Sequence, residues 1–386
     1  MRRASSTPRP GWAHIVEEQG LAFHRTSHPE HLTRPYWDES VHYIFSMDEV
    51  LTVEADVDEL HRMCLTVVEH VISEGRWADF AIPPWCHQAI EESWRRRDPH
   101  VFGRFDLHYD GTGPAKLLEY NADTPTSLVE SSIVQWYWLQ DVYPGDDQWN
   151  SIHERLVDRW KGISGQLPTG PAHFAWTNED ETGEEVMTLA YLQETADQAG
   201  LTTVSIAIED IGWDQLNLRF VDLEHRNIRT LCKLYPWEWV AADRFGPQAI
   251  RHQTEGTWVE PIWKMILSNK ALLAVLWELY PDHPNLLPAY LDGPRDLVRH
   301  IRKPLLGREG ASMRIVTPTG SQETEGGYGT EGYVYQEFRP LPDFDGWRPV
   351  LGAWVVHDEA AGLGIRETTG LITDDTSSFV PHRIAL

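Results

Sequence analysis

Basic residues, cysteine and long apolar runs are all scarce in this chain of 386 residues. Lys and Arg together number 33 against 59 Asp and Glu, and the formal net charge is -26 at pH 7. Nucleic-acid phosphates and anionic membrane surfaces need basic side chains to neutralise them, so this charge argues against both as partners. A cationic partner is easier to accommodate, although an acidic surface also serves plain solubility.

The cysteine content excludes a disulfide framework. Cys64, Cys86 and Cys232 are too few and too scattered, which suits a reducing cytosol. His61 and His70 share a helical segment with Cys64, but no CxxC or HxxxH pair among them anchors a zinc site. We therefore expect these side chains to be packed or exposed rather than bound to a metal.

Targeting and membrane-spanning segments are also missing from the sequence. No run of eighteen apolar residues occurs, and the first ten residues carry arginines without an apolar core. We expect a soluble cytoplasmic protein, and the length allows one large α/β unit, or two to three lobes around a cleft, with an ample core. The sequence does not indicate the oligomeric state.

Two strand-like stretches joined by the turn Asp-Gly-Thr-Gly-Pro at 110–114 carry the most informative residues. Side-chain alternation puts Arg104 and Asp106 on one face of the first strand, and Glu119 and Asn121 on one face of the second. An antiparallel pair would bring all four together. Two carboxylates and an amide oxygen form a hard ligand set of the kind that suits Mg²⁺.

A helix is predicted directly after this hairpin. Ser127-x-x-Glu130 is a capping-box pattern before an apolar run, so the helix should begin near Thr126 or Ser127. The free amides of its first turn, with the hydroxyls of Thr124, Thr126 and Ser127, would make a seat for a substrate carboxylate. Taken alone, the same residues also fit an acidic surface hairpin followed by an ordinary helix cap.

Helices and a βαβ unit are predicted on either side of the hairpin. Residues 1–100 look mostly helical, with helices at 50–75 and 90–97, and residues 172–208 read strand, helix, strand. The acidic loop Asn178-Glu-Asp-Glu181 lies at the carboxyl end of the first strand of this unit. It could receive an amine, or be a plain solvated loop.

Two lysine segments follow in the last third of the chain. Ser268 is a candidate cap for a helix over 270–280, which places Lys270 in the first turn, where a phosphate would favour an ammonium group. Residues 303–310, Lys-Pro-Leu-Leu-Gly-Arg-Glu-Gly, form a loop between two strands without the spacing of a Walker loop. Such a loop could close over a triphosphate as a small lid, but alone it also fits a basic hairpin turn. Residues 318–332 are predicted to be a mobile hairpin connection before a strand over 333–338.

Three strings, in this order, resemble the glutathionylspermidine synthetase family, in its synthetase half and in its stand-alone acid–amine ligase relatives. They are the 104–127 run, Trp263-Lys-Met-Ile-Leu-Ser-Asn-Lys270-Ala-Leu-Leu, and Lys303-Pro-Leu-Leu-Gly-Arg308-Glu-Gly310, and the similarity extends from about Trp37 to the C-terminus. The resemblance implies an ATP-grasp-type ligase fold of the α+β and α/β classes, with mixed sheets flanked by helices around a central nucleotide cleft. The motif order is permuted, because the metal ligands precede the lysines. No amidase-like region with a matching Cys/His pair precedes the synthetase-like part, so we do not expect hydrolysis of the product.

The resemblance implies an ATP-dependent ligase that joins a carboxylate to an amine through an acyl phosphate, with ATP and Mg²⁺ as cofactors. The expected substrates are a peptide or amino-acid carboxylate and a polyamine or other amine. The predicted roles are Mg²⁺ binding by Asp106, Glu119 and Asn121, catalysis on the transferred phosphoryl group by Arg104, Arg308 and Arg366, and acid-substrate binding by Thr124, Thr126 and Ser127. The predicted ATP-binding residues are Lys270, Lys303, Gln336, Glu337, Leu371, Ile372 and Thr373. Lys264 is the rival to Lys270.

One synthetase unit is predicted over residues 1–386, with four subregions. They are a helical part at 1–100, the metal and acid-substrate hairpin with its helix at 101–150, a βαβ-type substrate lobe at 151–258, and an ATP-binding lobe at 259–386 with a flexible loop at 304–311.

Two other functions stay open. A paired-carboxylate hydrolase would leave Lys270, Lys303 and Arg366 without a joint purpose. A non-catalytic ATP- or metabolite-binding module would carry the same binding residues.

Overall fold

The computed structural model describes residues 1–24, 34–178, 183–252, 256–374 and 376–385. Its α-helices are α1 (Trp12–Glu18), α2 (Met47–Glu74), α3 (Pro84–Arg96), α4 (Gln135–Val142), α5 (Ile152–Ile163), α6 (Glu184–Gln198), α7 (Trp237–Ala242), α8 (Gly246–His252), α9 (Lys264–Leu267) and α10 (Ala271–Leu279). Shorter helical turns are 3₁₀ at Trp77–Phe80, Ser164–Gln166 and Ile208–Asp210, and π-helical at Glu130–Val134.

The strands are β1 (Arg2–Ser5), β2 (Val41–Phe45), β3 (Phe102–His108), β4 (Lys116–Asn121), β5 (Ala172–Trp176), β6 (Thr203–Ala207), β7 (Gly212–Asp214), β8 (Arg219–Val221), β9 (Thr230–Lys233), β10 (Thr257–Val259), β11 (Ala289–Tyr290), β12 (His300–Pro304), β13 (Arg314–Thr317), β14 (Gly320–Glu323), β15 (Tyr333–Glu337), β16 (Arg348–Val356), β17 (Glu359–Thr368), β18 (Ser378–Phe379) and β19 (His382–Ile384). Helices and several separate sheets make the fold a mixed α/β architecture.

The predicted hairpin lies in a five-stranded antiparallel sheet with the order β18-β17-β16-β3-β4, called the central sheet below. Arg104 pairs with Asn121 and Asp106 with Glu119, so the expected antiparallel pairing is confirmed. Every residue of β3 is buried, and β16 pairs along the edge of β3 opposite β4. The register shifts just after Asp106, at the point where the strands begin to approach the turn.

The lysine segment at 303–310 adjoins a second antiparallel sheet with the order β11-β15-β12-β13-β14, called the lysine sheet below. Lys303 is the fourth residue of β12 rather than part of the loop that follows. The predicted strand at 333–338 is confirmed as β15, which lies between β11 and β12. The span 318–332 is not connection alone, because β14 forms within it and pairs with β13.

The predicted βαβ unit is confirmed as β5, α6 and β6. These strands belong to a parallel sheet with the order β10-β9-β5-β6, and α6 has the predicted bounds of 184–198. The acidic loop proposed as an amine receptor falls largely on residues 179–182, which lie outside the described residues. Phe174 and Cys232 of the parallel sheet share a buried apolar cluster with Phe102 and Trp354 of the central sheet.

The N-terminal part is mainly helical, as predicted. Ser46 and Glu49 form a capping box at the start of α2, and Gly75, in the left-handed conformation, ends this helix. Helix α3 begins six residues earlier than expected because Pro84 occupies its first turn. A small sheet of β1, β2 and β19 was not predicted, since it joins the two ends of the chain. Within the described ranges, no helix is both long and apolar enough to cross a membrane.

The capping box predicted after the hairpin is wrong. Helical residues begin at 128, close to the expected start, but Ser127 adopts a left-handed φ of 66°. The Glu130 carboxylate does not reach back to the cap; it accepts the Tyr36 hydroxyl at 2.5 Å. A buried partner from another segment therefore outcompeted the local cap. Glu130 opens a π-helical stretch that leads into α4.

The predicted Ser268 cap is also wrong. Helix α10 begins at Ala271 with Lys270 as the preceding residue, and Asn269 Oδ1 accepts the backbone N–H of Ala271 at 2.9 Å. The Ser268 hydroxyl is buried without a hydrogen-bond partner among the described residues. The helix itself was predicted correctly because its apolar stripe is continuous; only the residue that caps it differs.

Candidate active site

A cleft of about 800 Å³ opens between the central sheet, the lysine sheet and the loop after β12. All sixteen predicted site residues line it, although they come from segments more than 200 positions apart in the sequence. Concave sites with convergent polar groups are where small ligands usually bind. The geometry therefore collects the residues that the sequence singled out into one place.

The two hairpin carboxylates are held by cations from different elements. Asp106 accepts Arg104 Nε at 2.8 Å and Arg366 Nη2 at 2.9 Å, while Glu119 lies 3.1 Å from Lys270 Nζ. Asn121 donates its amide N–H to Glu119 at 3.3 Å, which turns the amide oxygen to other partners. Two carboxylates and one amide oxygen thus share one corner of the cleft, called the carboxylate corner below.

The charges at this corner set the protonation of Glu119. Burial alone would raise the pKa of this carboxyl, but Lys270 and Lys303 outweigh burial and lower the pKa to about 2. Arg104 is buried, and the adjacent Asp106 carboxylate raises its pKa against the cost of desolvation. At neutral pH, Glu119 is therefore an ionised carboxylate, which is the form that binds a cation.

Lys303 joins the lysine sheet to the hairpin. Its ammonium donates to the Leu118 carbonyl at 2.9 Å and to Gln336 Oε1 at 2.8 Å. The Gln336 amide in turn donates to the Leu117 carbonyl at 3.0 Å. Burial lowers the pKa of Lys303 to about 8, with Glu119 opposing the shift and Lys270 adding to it. The side chains of β12 and β15 thus bridge to β4 across the floor of the cleft.

Lys264 and Lys270, the rival candidates, occupy different environments. Lys264 is buried away from the cleft, where it pairs with Glu260 at 2.6 Å and donates to the Phe102 carbonyl at 2.7 Å. Lys270 lines the cleft and donates to the Gly307 carbonyl at 2.6 Å, beside its contact with Glu119. The geometry therefore favours Lys270 over Lys264 as a ligand-binding residue.

The loop at 304–311 reaches across the cleft to the predicted acid seat. Arg308 donates to the Thr124 hydroxyl at 3.0 Å, lies 3.6 Å from Glu238, and stacks over the Trp239 ring with 5.1 Å to its centroid. On the other side, Arg104 donates to the Thr126 carbonyl at 2.5 Å. Two arginines thus flank the segment that carries Thr124, Thr126 and Ser127.

One end of the cleft is apolar. Ile301, Met313 and Phe338 of the lysine-sheet side pack together, and Leu371 and Ile372 cover them from the segment after β17. A flat aromatic ring could be held between these two layers, since apolar side chains face it from both sides.

Gln336 and Glu337 of β15 are both engaged in hydrogen bonds within the protein. The Glu337 N–H donates to the Pro288 carbonyl at 2.7 Å, so in this conformation it is not free to read an adenine ring. The Gln336 side chain turns toward Lys303 and the hairpin, as its hydrogen bonds show. Both residues line the cleft, as their predicted place in the ATP-binding lobe requires.

Several residues at the acid seat were missed by sequence reasoning. Tyr36 lines the cleft beyond Ser127, with their oxygens 3.4 Å apart, and Ser127 Oγ lies 3.4 Å from Glu184. Behind them, burial and the neighbouring Glu184 charge raise the pKa of Glu130 to about 7. Tyr36 gave no sequence signal, because about ninety residues separate it from the helix that it contacts.

Asp123 was also missed, and it anchors the acid seat. Its two carboxylate oxygens accept the Lys233 ammonium at 2.8 Å and the Trp237 backbone N–H at 2.9 Å. Lys233 ends β9, so this ion pair fastens the segment after β4 to the parallel sheet. Asp123 lies inside the run that carries the other site residues, but the sequence does not name its partner.

A family model described as glutathionylspermidine synthase preATP-grasp matches residues 3–385. A candidate acid–amine ligase of Haemophilus influenzae is 40% identical over 99% of this chain and 99% of its own length. A trypanothione synthetase of Crithidia fasciculata is 29% identical over 85% of this chain and 54% of its own length, so this chain spans about half of that relative.

One solved structure shares the fold at low sequence identity. It is a glutathione synthetase-like effector from Globodera pallida, which superposes with a TM-score of 0.51 and 10% identity, covering 98% of this chain and 100% of the other. At this identity the likeness concerns the fold alone. The mixed α/β architecture described above is therefore shared with a glutathione synthetase-like protein.

Proposed function

The chain belongs to the glutathionylspermidine synthase preATP-grasp family of ATP-dependent C–N ligases, and from this premise we propose that it joins a carboxylic acid to an amine through an acyl phosphate. The observation that best supports this proposal is the 3.1 Å contact between the Glu119 carboxylate and Lys270 Nζ. It joins the β3–β4 hairpin to a predicted ATP-binding lysine inside one cleft. The proposed fold is of the ATP-grasp type with permuted motif order, since the acidic hairpin precedes the lysines in the sequence.

The chemistry explains why cations line this cleft. A carboxylate is a poor acyl donor, so its oxygen takes the γ-phosphoryl group of ATP and ADP leaves. The amine nitrogen then attacks the acyl carbon, loses a proton and displaces phosphate. Phosphoryl transfer depends mainly on positioning and on charge stabilisation. We assign Lys270 and Lys303 to the ATP phosphates, and Arg104, Arg308 and Arg366 to the transferred phosphoryl group.

The carboxylate corner fits Mg²⁺. Asp106, Glu119 and Asn121 offer hard oxygen ligands from paired strands, and the pKa of Glu119 keeps that carboxyl ionised. When bound, Mg²⁺ would neutralise charge on the phosphate oxygens. Lys270 and Arg366, which form ion pairs with these carboxylates, are the side chains that phosphate oxygens would recruit.

The two ends of the cleft would hold the two substrates that react. The base of ATP fits the apolar end formed by Ile301, Met313, Phe338, Leu371 and Ile372. The acid fits the seat at Thr124, Thr126 and Ser127, next to the start of the helix. A peptide or amino-acid carboxylate and a polyamine or other amine are the proposed classes. These assignments follow the predicted subregions, with nucleotide bound by 259–386 and the substrates by 101–258.

The protonation of Glu119 argues against the hydrolase alternative. A paired-carboxylate glycosidase keeps one carboxyl protonated as a general acid, which requires a raised pKa. Glu119 has a lowered pKa, and both Asp106 and Glu119 form ion pairs with cationic side chains. Neither carboxyl is placed in the apolar setting that an acid catalyst needs.

The decisive experiment measures ADP and phosphate release with Mg·ATP across a panel of thiol peptides, amino acids, diamines and polyamines. We expect at least one acid and amine pair to stimulate release, and mass spectrometry should show an amide of the two. ATP binding without stimulated turnover by any pair would favour the non-catalytic binding module instead. Release that one acid stimulates without an amine would support acyl-phosphate formation on its own.

A further inference from the structure

Three imidazoles converge on one carboxylate at the end of the β16–β17 hairpin. His357 and Asp358 form the two-residue turn between these strands, and His100 lies just before β3. Asp358 Oδ1 is 3.4 Å from His100 Nε2 and 3.1 Å from His61 Nε2, and Asp358 Oδ2 is 3.2 Å from His357 Nε2. None of these four residues lines the cleft described above.

We propose that His100, His357 and Asp358 bind a divalent first-row transition-metal ion such as Zn²⁺, at a site separate from the carboxylate corner. One ligand atom from each residue lies within 4.8 Å of the others. Two ligands held at about 2.0–2.1 Å in a tetrahedral zinc site are roughly 3.3 Å apart. His100 Nε2 lies 3.4 Å from Asp358 Oδ1 and His357 Nε2 lies 3.2 Å from Asp358 Oδ2, so each separation is close to that edge length.

The orientation of the imidazoles suits ligation. His100 and His357 both turn Nε2 toward the Asp358 carboxylate, at 3.4 and 3.2 Å. Neutral imidazole is the form that binds a metal. His100 Nδ1 is buried without a hydrogen-bond partner within the described ranges, so Nε2, which faces Asp358 Oδ1, carries the proton here, and a metal binding at Nε2 would displace that proton.

His61 acts in this site as a positioning residue. It is buried on α2, its Nε2 contacts Asp358, and its Nδ1 lies 3.0 Å from the Tyr120 hydroxyl. Held from both sides, this ring fixes the Asp358 carboxylate in the direction of the other two imidazoles. Hydrogen bonds to metal-ligating carboxylates commonly orient the ligand in this way. A metal would then fasten the β16–β17 turn to the start of β3, close to α2.

Distance and ligand type separate this site from the cleft. Arg366 lies eight positions after Asp358 along β17, which at 3.3 Å per residue is roughly 26 Å. Two imidazoles and one carboxylate favour Zn²⁺ and its neighbours, whereas the oxygen-only corner favours Mg²⁺. The proposal therefore does not depend on the ligase assignment.

Calorimetric titration of the full chain with Zn²⁺ in excess Mg²⁺ tests the site, because Mg²⁺ occupies oxygen-only positions. We expect one Zn²⁺ per chain, a Tm that rises with Zn²⁺, and an affinity that falls about tenfold or more in His357→Ala. The His357 side chain is 51% exposed, so its removal should not disturb the core. ATP-dependent phosphate release in Mg²⁺ should stay unchanged in this variant.

His14→Ala is the matched control. His14 is an exposed histidine on α1 with a carboxylate, Glu18, 3.3 Å away, but it belongs to no such cluster among the described residues. Its removal should leave Zn²⁺ affinity unchanged. Equal affinity in His357→Ala and the wild type, or no Zn²⁺ binding at all, would overturn the proposal and leave the cluster as a network of hydrogen bonds. If circular dichroism shows that His357→Ala is misfolded, Asp358→Asn decides by the same criterion.

Discussion

At the scale of single residues, the cleft contains buried carboxylates whose charges are neutralised by arginine and lysine side chains. Asp106 and Glu119 face each other on paired strands, and each is neutralised by a cation from a distant segment. Buried ions remain ionised only when such partners are present, because desolvation alone would neutralise them. The roles proposed for these side chains can therefore be tested by isosteric changes that remove charge without removing volume.

Asp106→Asn should reduce ATP-dependent turnover about 100-fold or more, because it removes a proposed Mg²⁺ ligand and the partner of Arg104 and Arg366. The measurement is phosphate release at saturating Mg·ATP, with circular dichroism to confirm the fold. Asp110→Asn, an exposed acid in the turn of the same hairpin, is the control and should keep full turnover. Full turnover in Asp106→Asn would remove our metal assignment.

Lys303 should make ATP binding depend on pH. Because burial lowers the pKa of this ammonium to about 8, it is charged below that pH and neutral above it, and only the charged form attracts phosphate. The Kd for Mg·ATP should rise by about tenfold between pH 7 and pH 9. In Lys303→Arg, whose guanidinium stays charged, the same titration should be flat; an equal pH dependence in both proteins would contradict the assignment.

At the scale of elements, local sequence rules predicted the interiors of helices and strands correctly but predicted the helix caps incorrectly. The α6 helix, the β3–β4 hairpin and β15 match their predictions, because apolar periodicity and turn residues act within a few positions. The Ser127 and Ser268 caps did not form, because Glu130 pairs with Tyr36 and the Ala271 N–H donates to Asn269 instead. A helix end is decided by whichever polar partner is closest in three dimensions.

The loop after β12 offers a prediction at this scale. Gly310 has a φ of +71°, and a Cβ there would lie 2.8 Å from Ile372 Cγ2 and 2.9 Å from the Thr373 carbonyl. Gly310→Ala should therefore push the loop away from the nucleotide end and raise the KM for ATP about fivefold, as expected for roughly 1 kcal/mol of backbone strain.

Gly327→Ala is the matched control for this loop. A Cβ at Gly327 would meet nothing within 4 Å, and its φ is not in the left-handed region. Steady-state kinetics of both variants should show a raised KM for Gly310→Ala alone. If the two variants behave alike, the packing of the loop against residues 372 and 373 does not contribute to ATP binding.

At the scale of the whole molecule, the sheets are joined by buried ion pairs. Glu260, just after β10 of the parallel sheet, accepts the backbone N–H groups of Val101 and Phe102 at the start of β3, and it pairs with Lys264 of α9. The central sheet likewise draws β3 and β4 from the 101–150 region and β16 and β17 from the 259–386 region. The cleft therefore owes its shape to contacts between distant parts of the chain.

Substitution of Lys264 should lower the stability of the protein, whereas substitution of Lys270 should weaken ATP binding. Lys264→Met leaves the buried Glu260 carboxylate without its cation, so we expect a loss of about 3–5 kcal/mol in the free energy of unfolding, with Mg·ATP affinity kept. Lys270→Met should weaken Mg·ATP binding while losing far less stability. Denaturant titration and calorimetry check both variants, and a Lys264→Met protein that is fully stable but binds no ATP would reverse the assignment.

The sequence by itself determined the hairpin with its two carboxylates, the βαβ unit, the apolar helix behind Lys270 and the resemblance to one ligase family. Each of these features depends on residues that are close together in the sequence, so their periodicity and spacing predict it without knowledge of the fold. Only the tertiary structure decided that Lys264 pairs with Glu260 while Lys270 lines the cleft, that Tyr36 and Asp123 frame the acid seat, and that three histidines meet Asp358. Such contacts join segments up to about 300 residues apart, and they arise because buried polar groups must find partners wherever folding brings them together.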